Sequence, residues 1–409
     1  MYEEDIPQFA NITCNRVPRS QRIQANEELA VETATTVDEV AALGGLYGPL
    51  LAVTGNTLPF SLHEWHLTWC RHFLNCNPRI RDEPLFCVLR DGSGLCVAIV
   101  PFIVSRRRVG PLTIVSVVPL GADPAITEIR IPLIHPGYEI PAARALRRHL
   151  DNIGKWDWVH WTGISEEFAA ALGAGSRLQW QPALPDFVLD MAPTWEEFRG
   201  RLKRNIRESL RHCYNSLKRE GLTCELKVIQ NPAELSRGLD RFLELHIMRA
   251  NFKSTSEAHP NRFASQMSRR FLYDVCLRLG ERGAVRLFQL EVGSEVVAMR
   301  IGFAVGDSLY LYYSGFDPAW ARYSVMTTTV AEAIKYAISQ GFKTVNLSPT
   351  KDVAKTRWGP RQIDYASAYE VSGRLRSRLA RGAYLRVRSG VGMPSRLLRR
   401  LIQARRDWR

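Results

Sequence analysis

The most constraining stretch of this 409-residue chain is residues 309–360. It reads LYLYYSGFDP, AWARYSVMTTTVAEAIKYAISQ, GFKTVNLSP and TKDVAKTRWGP. The pattern predicts a strand, a sharp loop, a helix of about five turns, a glycine stop, a second strand and a polar loop. A helix that opens just past a strand points its first backbone N–H groups at one spot and favours an anion there. No other part of the chain offers so definite a place for a phosphate-bearing cofactor.

The chain is too long for one typical domain, and its elements come in two similar rounds. In the first, 37–51 reads as a short helix. Ser61 and Glu64 have capping-box spacing ahead of Trp65, Trp69 and Phe73, which recur at helical spacing. Residues 84–110 read as a hairpin turning at 91–94. A strand at 114–118, a helix at 141–152, Gly154 and the strand WDWVHW follow. In the second round, Thr194 and Glu197 open a helix that runs to Gly221. A strand at 224–229, helices at 233–248 and 271–279, and a hairpin around Gly293 and Ser294 lead into the 309–360 segment. WDWVHW after Gly154 corresponds to FKTVNL after Gly341, and the shared order of elements points to two lobes of one kind. The expectation is an α/β (α+β) protein whose lobes, 31–185 and 186–373, are each a mixed, mostly antiparallel sheet flanked by helices. A loosely ordered leader, 1–30, precedes them and a basic tail, 374–409, follows.

The charge is unevenly placed. Residues 374–409 hold twelve arginines and one acid, Asp407, so +11 of the net +14 resides in this tail and +3 in the other 373 residues. Within it, PSRLLRRLIQARRDWR sets Leu397, Leu398, Leu401 and Ile402 on one helical side, with Arg399, Arg400, Arg405 and Arg406 mostly elsewhere. Such a segment suits an anionic membrane surface, or serves as a flexible basic extension. Nucleic acid would accept the same charge, but no nucleic-acid-binding signature accompanies it. A second basic cluster, Arg199, Arg201, Lys203, Arg204, Arg207 and Arg211, reads as a helix face that is either solvated or turned to a phosphate-rich ligand.

Several classes are excluded. The start, MYEEDIPQF, lacks the apolar run of a signal peptide, and no apolar run reaches 18 residues. The eight cysteines form no CxxC pair or zinc spacing. They suggest reduced thiols in a cytosolic protein, held peripherally at the inner face of the membrane if the tail docks there. HEWH at 63–66 lacks the HExxH spacing of zinc proteases. No P-loop, dinucleotide-binding or Ser-His-Asp pattern is present.

The ordered runs TWEEF…RNIRESL…LKREG, FLELHIMRA, VRLFQLEVGSEVVAMRIGF, YYSGFDP and KTRW resemble the GNAT-fold acyltransferases of the double-domain type. These are the cellulose-biosynthesis-like acetyltransferases, related to the Fem peptidyltransferases. The resemblance covers 190–360 well and 55–165 weakly. It implies two tandem GNAT-like lobes and transfer of an acyl group from acyl-CoA, with no metal, to an amine or hydroxyl of a sugar, polysaccharide precursor or similar metabolite. It places the CoA phosphates at Arg322, Tyr323, Ser324, Val325, Met326 and Thr327. This loop departs from the family pattern, because glycine is missing where Val325 and Met326 stand, and glycine permits close backbone approach and positive φ.

The resemblance also marks residues for chemistry. Asp317, in GFDP, is a candidate proton acceptor, although Asp-Pro also forms turns. His246 has the intrinsic pKa of a base, and Arg249, one turn on, suits a carboxylate or phosphate. Lys355, Arg357 and Trp358 match the family's Lys-x-x-Trp-like ending, with Lys355 placed to stabilise negative charge. Tyr313 is a candidate general acid to the leaving thiolate, while Tyr310 and Tyr312 share a strand face by alternation. Two alternatives stand beside CoA-dependent transfer. One is a Fem-like transferase using aminoacyl-tRNA and a lipid-linked acceptor; the other is a degenerate, non-catalytic scaffold.

Overall fold

The computed structural model describes residues 28–75, 80–109, 112–121, 126–154, 156–173, 177–252 and 259–389. The first round contains β1 (Ala30–Ala34), α1 (Val37–Ala42), α2 (Gly44–Thr54), α3 (His63–Phe73), β2 (Ile80–Arg90), β3 (Cys96–Val109), β4 (Leu112–Pro119), β5 (Leu133–Ile134), α4 (Glu139–Ile153), β6 (Trp158–Thr162), α5 (Glu166–Ala171) and β7 (Leu178–Asp190). The second contains α6 (Trp195–Arg201), α7 (Arg204–Arg219), β8 (Cys224–Ile229), α8 (Pro232–Asn251), α9 (Gln266–Glu281), β9 (Val285–Val292), β10 (Glu295–Val305), β11 (Ser308–Phe316), α10 (Val325–Ser339), β12 (Thr344–Pro349), α11 (Val353–Thr356), β13 (Arg361–Val371) and α12 (Leu375–Ser389).

The strands form one 13-stranded sheet in the order β1-β2-β3-β4-β6-β13-β7-β12-β11-β10-β9-β8, with β5 on β3. In each lobe a run of antiparallel strands ends in a parallel pair, β4 with β6 and β11 with β12. The lobes then exchange their last strands. β7, from the first round, lies on β12, while β13, from the second, lies on β6, and the two pair with each other. The expected division at 185/186 therefore falls within β7. Pro182 would break a regular central strand. It is accommodated because the register with β13 shifts between Tyr365↔Leu184 and Ser367↔Gln181, leaving Pro182 in a bulge.

Both parallel pairs are short. β4 and β6 share only Ser116↔Trp158 and Val117↔Val159. β11 and β12 share Ser308↔Thr344, Leu309↔Val345 and Tyr310↔Asn346, and then diverge. The gap in the first lobe is plugged by its own chain, since Ile131 and Pro132 sit among Pro119, Leu120, Trp161 and Thr162. Gly163 makes room for this plug: a Cβ there would lie 2.2 Å from the Ile131 side chain, and its φ is +63°. The two lobes share an apolar core between α3, α8 and α9. Trp65 meets Phe271 with ring centroids 5.2 Å apart, and Phe60 meets Tyr310 at 5.1 Å.

Three local expectations are corrected. Ser61 does not cap α3; Leu62 precedes the helix and the Ser61 hydroxyl accepts from Asn56 Nδ2 at 3.2 Å. The helix from Thr194 breaks after Arg201, because Leu202 turns extended (ψ 147°) and is buried. The five-turn helix of 319–340 divides into a 3-10 turn, Pro318–Tyr323, and α10, with Ser324 in the left-handed region between them. Of the basic tail, α12 packs Ala380 and Tyr384 with Ile114, Trp158 and Val371. Residues 390–409, including the expected Leu397–Ile402 face, lie outside the described residues, as do 1–27 of the leader. Among the described residues, no helix is long and apolar enough to cross a membrane.

Candidate active site between the two lobes

The divergence of β11 from β12 begins after Tyr310↔Asn346. Register across β10 and β11 passes from Gly302↔Leu311 to Arg300↔Ser314, so Tyr312 and Tyr313 together oppose Ile301. This bulge brings Tyr313 beside Tyr312, with ring centroids 4.3 Å apart. Bulges of this kind re-aim side chains next to active sites. The first lobe closes over this face. Tyr310 Oη donates to Glu128 Oε2 at 2.8 Å, Tyr312 Oη donates to the Ile126 carbonyl at 2.6 Å, and Trp65 Nε1 donates to Thr127 Oγ1 at 3.1 Å. Tyr313 also hydrogen-bonds Glu128, and its own pKa is raised by burial.

Two carboxylates are therefore held in a poorly solvated crevice. Burial pushes Glu128 up to about 7, outweighing the Tyr310 hydrogen bond and the attraction of Lys355 and Arg300. Asp186, on β7, is fully buried and is pushed up to about 6 by the same cause, against the hydrogen bond from Asn346 Nδ2 at 2.6 Å. Neither acid carries a motif. Glu128 lies in the apolar run ITEIRIP, and the signal that would have exposed it is an ionisable residue alternating with buried isoleucines.

The chain leaving β12 is strained. Ser348 has φ +70° and Thr350 has φ +80°, and a β-branched residue in this region is a real outlier. The surroundings hold it. Ser348 N–H donates to Asn346 Oδ1 at 2.7 Å, Thr350 N–H donates to the Pro185 carbonyl at 3.1 Å, and Lys355 Nζ donates to the carbonyls of Pro349 and Thr350. Asp352 caps α11, accepting from Lys355 N–H at 2.8 Å. Lys355 thus clamps the loop while its charge faces Glu128 and Asp186; burial lowers its pKa.

The other residues marked by the sequence divide. Arg249 joins the crevice: it donates to Ser314 Oγ at 2.6 Å, and burial lowers it to about 10. His246 is not placed as a base. Its Nδ1–H donates to the Ser314 carbonyl (2.9 Å), its Nε2 accepts from Arg262 N–H (3.2 Å), and burial pushes its pKa down to about 4. A neutral imidazole with both nitrogens engaged ties α8 to β11. Asp317 caps the 3-10 turn, accepting from Ala319 N–H at 2.9 Å. Trp358 is core, 3% exposed among Phe187, Phe198 and Ile206, so it offers no surface to substrate. Arg357 donates to Ser209 Oγ on α7 at 2.7 Å.

At the loop before α10, Ser324 adopts φ 55° and ψ 38°. A non-glycine residue therefore supplies the left-handed turn for which a glycine was expected. Val325 is 1% exposed and packs on Leu290, Val292 and Val297, which takes its side chain away from the loop surface. Met326 and Thr327 are partly buried. Arg322 lies over the Tyr323 ring, and both contact the Glu220 carboxylate at the end of α7. Because Ser324 bears the left-handed strain, Ser324→Gly is expected to raise stability by about 1 kcal/mol. An unchanged or lower midpoint in urea unfolding would show that the Ser324 side chain compensates for the strain.

Residues 204–356 match the family described as acetyltransferase (GNAT) domain. The match runs from α7 to α11 and includes β11, β12 and the loop before α10. No curated protein sequence matches the chain. Among solved structures, FemX superposes with a TM-score of 0.54 at 11% identity, over 86% of this chain and 99% of that one. The C-terminal domain of a candidate lysylphosphatidylglycerol synthetase from Agrobacterium fabrum superposes with a TM-score of 0.50 at 12% identity, over 85% and 96%. At these identities the likeness establishes the fold. The protein is a mixed α/β molecule with one large sheet flanked by helices, and the match of residues 204–356 to an acetyltransferase (GNAT) domain supports a transferase.

Proposed function

We propose that this protein transfers an acyl group from an activated donor to an amine or hydroxyl, with Glu128 as general base. The observation that carries the reading is the Glu128 carboxyl, pushed up to about 7 and held by Tyr310 and Tyr313 beside the β11 bulge. A base with that pKa is half ionised near neutrality and can take the proton of an attacking amine or hydroxyl. Tyr310 and Tyr313 orient it, and the cations of Arg300 and Lys355 favour negative charge developing nearby.

Acyl-CoA fits as the donor. The left-handed turn at Ser324 and the first N–H groups of α10 suit its phosphates, and Val325 does not fill that space. The acceptor class is a sugar or polysaccharide precursor, as in the cellulose-biosynthesis-like relatives suggested by the sequence. Placement at the inner face of a membrane through the basic tail belongs to the same proposal; α12 exposes Leu375 and Leu379 beside Arg376. A second reading, with an aminoacyl-tRNA donor and a lipid-linked acceptor, is favoured by one observation. The outer face of α7 exposes Arg211, His212, Lys218 and Arg219 beside Glu208 and Asn215, a basic surface suited to a phosphate backbone.

Calorimetric titration with acetyl-CoA is expected to show saturable binding, and a primary amine acceptor is expected to drive release of free thiol. No binding at millimolar acetyl-CoA, combined with transfer from aminoacyl-tRNA, would move the assignment to the second reading. Failure with both donors would remove it.

A further inference from the structure

Among the described residues, two arginines reach the β11 bulge without a carboxylate of their own. Arg249, from the last turn of α8, donates to Ser314 Oγ at 2.6 Å and to the Ser314 carbonyl at 3.4 Å. Arg300, the register partner of Ser314 on β10, donates to the Leu311 carbonyl at 3.4 Å. Its Nε is buried with no hydrogen-bond partner among the described residues. Arg262, whose backbone N–H holds His246, also leaves Nε buried and unpartnered among those residues. Asp186 Oδ1 is a third such atom.

Arg147 is treated differently: with a side chain 14% exposed, it is paired with both Asp151 and Glu370. Among the described residues, Arg249 and Arg300 form no ion pair. A guanidinium cannot escape the cost of burial by losing its proton, so an unpaired buried one calls for an anion. Glu128 and Asp352 act on Arg300 from a distance, and Glu128 spends part of its time neutral near pH 7. The crevice is therefore short of negative charge. Both arginines remain partly exposed, so an anion from solvent can reach them. The planar fork of a guanidinium matches a carboxylate or phosphate oxygen pair.

We propose that Arg249 and Arg300 together form a receptor for an anionic group on the acceptor, a carboxylate or a phosphate ester. Seated on the β11 bulge, that anion anchors the acceptor so that its amine or hydroxyl meets Glu128. This rests on the acyl-transfer reading for its purpose, but its test needs no donor and no turnover.

The full chain and an Arg249→Gln/Arg300→Gln double variant are titrated calorimetrically with inorganic phosphate and, separately, with acetate at constant ionic strength. The wild-type protein is expected to show a saturable site that the double variant loses or binds at least about tenfold more weakly. Preference for phosphate assigns a phosphate ester, and preference for acetate assigns a carboxylate. An Arg71→Gln/Arg237→Gln variant, at exposed positions of α3 and α8, is expected to bind as wild type does. Without anion, Arg300→Gln is expected to melt at the same or a higher temperature, because it removes an unpaired buried charge. If the double variant does not fold, Arg249→Lys and Arg300→Lys are read instead; each keeps the charge but loses the fork, and each is expected to weaken the site. The same sites and affinities in wild type and variants overturn the proposal, as does the absence of any saturable site for either anion in the wild type.

Discussion

Glu128→Gln is expected to lower kcat at pH 8 by about 10²- to 10⁴-fold, the range removed when a general base is lost. The wild-type kcat/KM should rise with pH and level off above about 7, where the carboxyl is ionised. The variant should lack that limb. Stability moves the other way. The folded carboxyl sits at about 7, above its ordinary 4.5. Between these values the folded protein holds a proton that the unfolded chain has released, so the wild type loses stability as pH rises through that window. An amide does not titrate, so the variant escapes this loss and should be at least as stable as wild type at pH 8. A less active but no less stable enzyme separates loss of a base from unfolding. Retention of full activity, or a pH limb unchanged in the variant, would remove Glu128 from the chemistry.

Much of the fold was legible because its signals are local. The hairpin at 91–94 turns where Asp91 Oδ1 accepts from Ser93 and Leu95 N–H groups at 2.9 and 3.0 Å, which is what an Asp-Gly turn is built to do. Thr194 caps α6 by accepting from Glu197 N–H at 3.2 Å. The alternating 309–316 run, the Gly341 stop and the order of elements also stand in the structure. The exchange of β7 and β13 between lobes was not legible. Pro182 and Pro185 argue against a central strand, and the bulge that admits Pro182 is set by the partner, β13, which is remote in sequence. The break at Ser324 was hidden for a related reason: serine gives no warning of positive φ, and the loop geometry forces it.

The candidate site was legible on one side only. Residues 309–360 announced the gap, the loop and Lys355, because strand, helix and glycine punctuation are read within a few residues. Glu128 joins Tyr310 across 182 positions of sequence. No local pattern encodes that contact; it exists because the first lobe plugs its own gap and extends the plug over β11. The same limit hid the packing of His246 and Trp358. A histidine and a tryptophan in a motif look alike whether they face substrate or core, and only three-dimensional packing shows His246 with both nitrogens engaged and Trp358 buried.

Gly315→Ala is expected to be among the most damaging small substitutions in the chain, destabilising by about 3 kcal/mol or more. A Cβ at Gly315 would lie 2.3 Å from His246 N, 2.4 Å from Leu245 C and 2.8 Å from His246 Cα. These are backbone atoms inside α8, so no rotamer change relieves the overlap; β11 and α8 must move apart. That movement would also stretch the bonds from His246 and Arg249 to Ser314, so acceptor binding should fall with stability. Gly238→Ala is the control. Its Cβ would meet Leu287 Cδ1 at 2.7 Å and Ile229 Cδ1 at 3.1 Å, both ends of flexible side chains. Alanine also favours the interior of α8 by about 1 kcal/mol over glycine. Urea unfolding should therefore place Gly238→Ala near wild type and Gly315→Ala far below it. Equal midpoints for the two variants would mean that β11 does not rest directly on the α8 backbone, and the bulge would lose the rigid support on which its alignment of Tyr313, Arg249 and Ser314 depends.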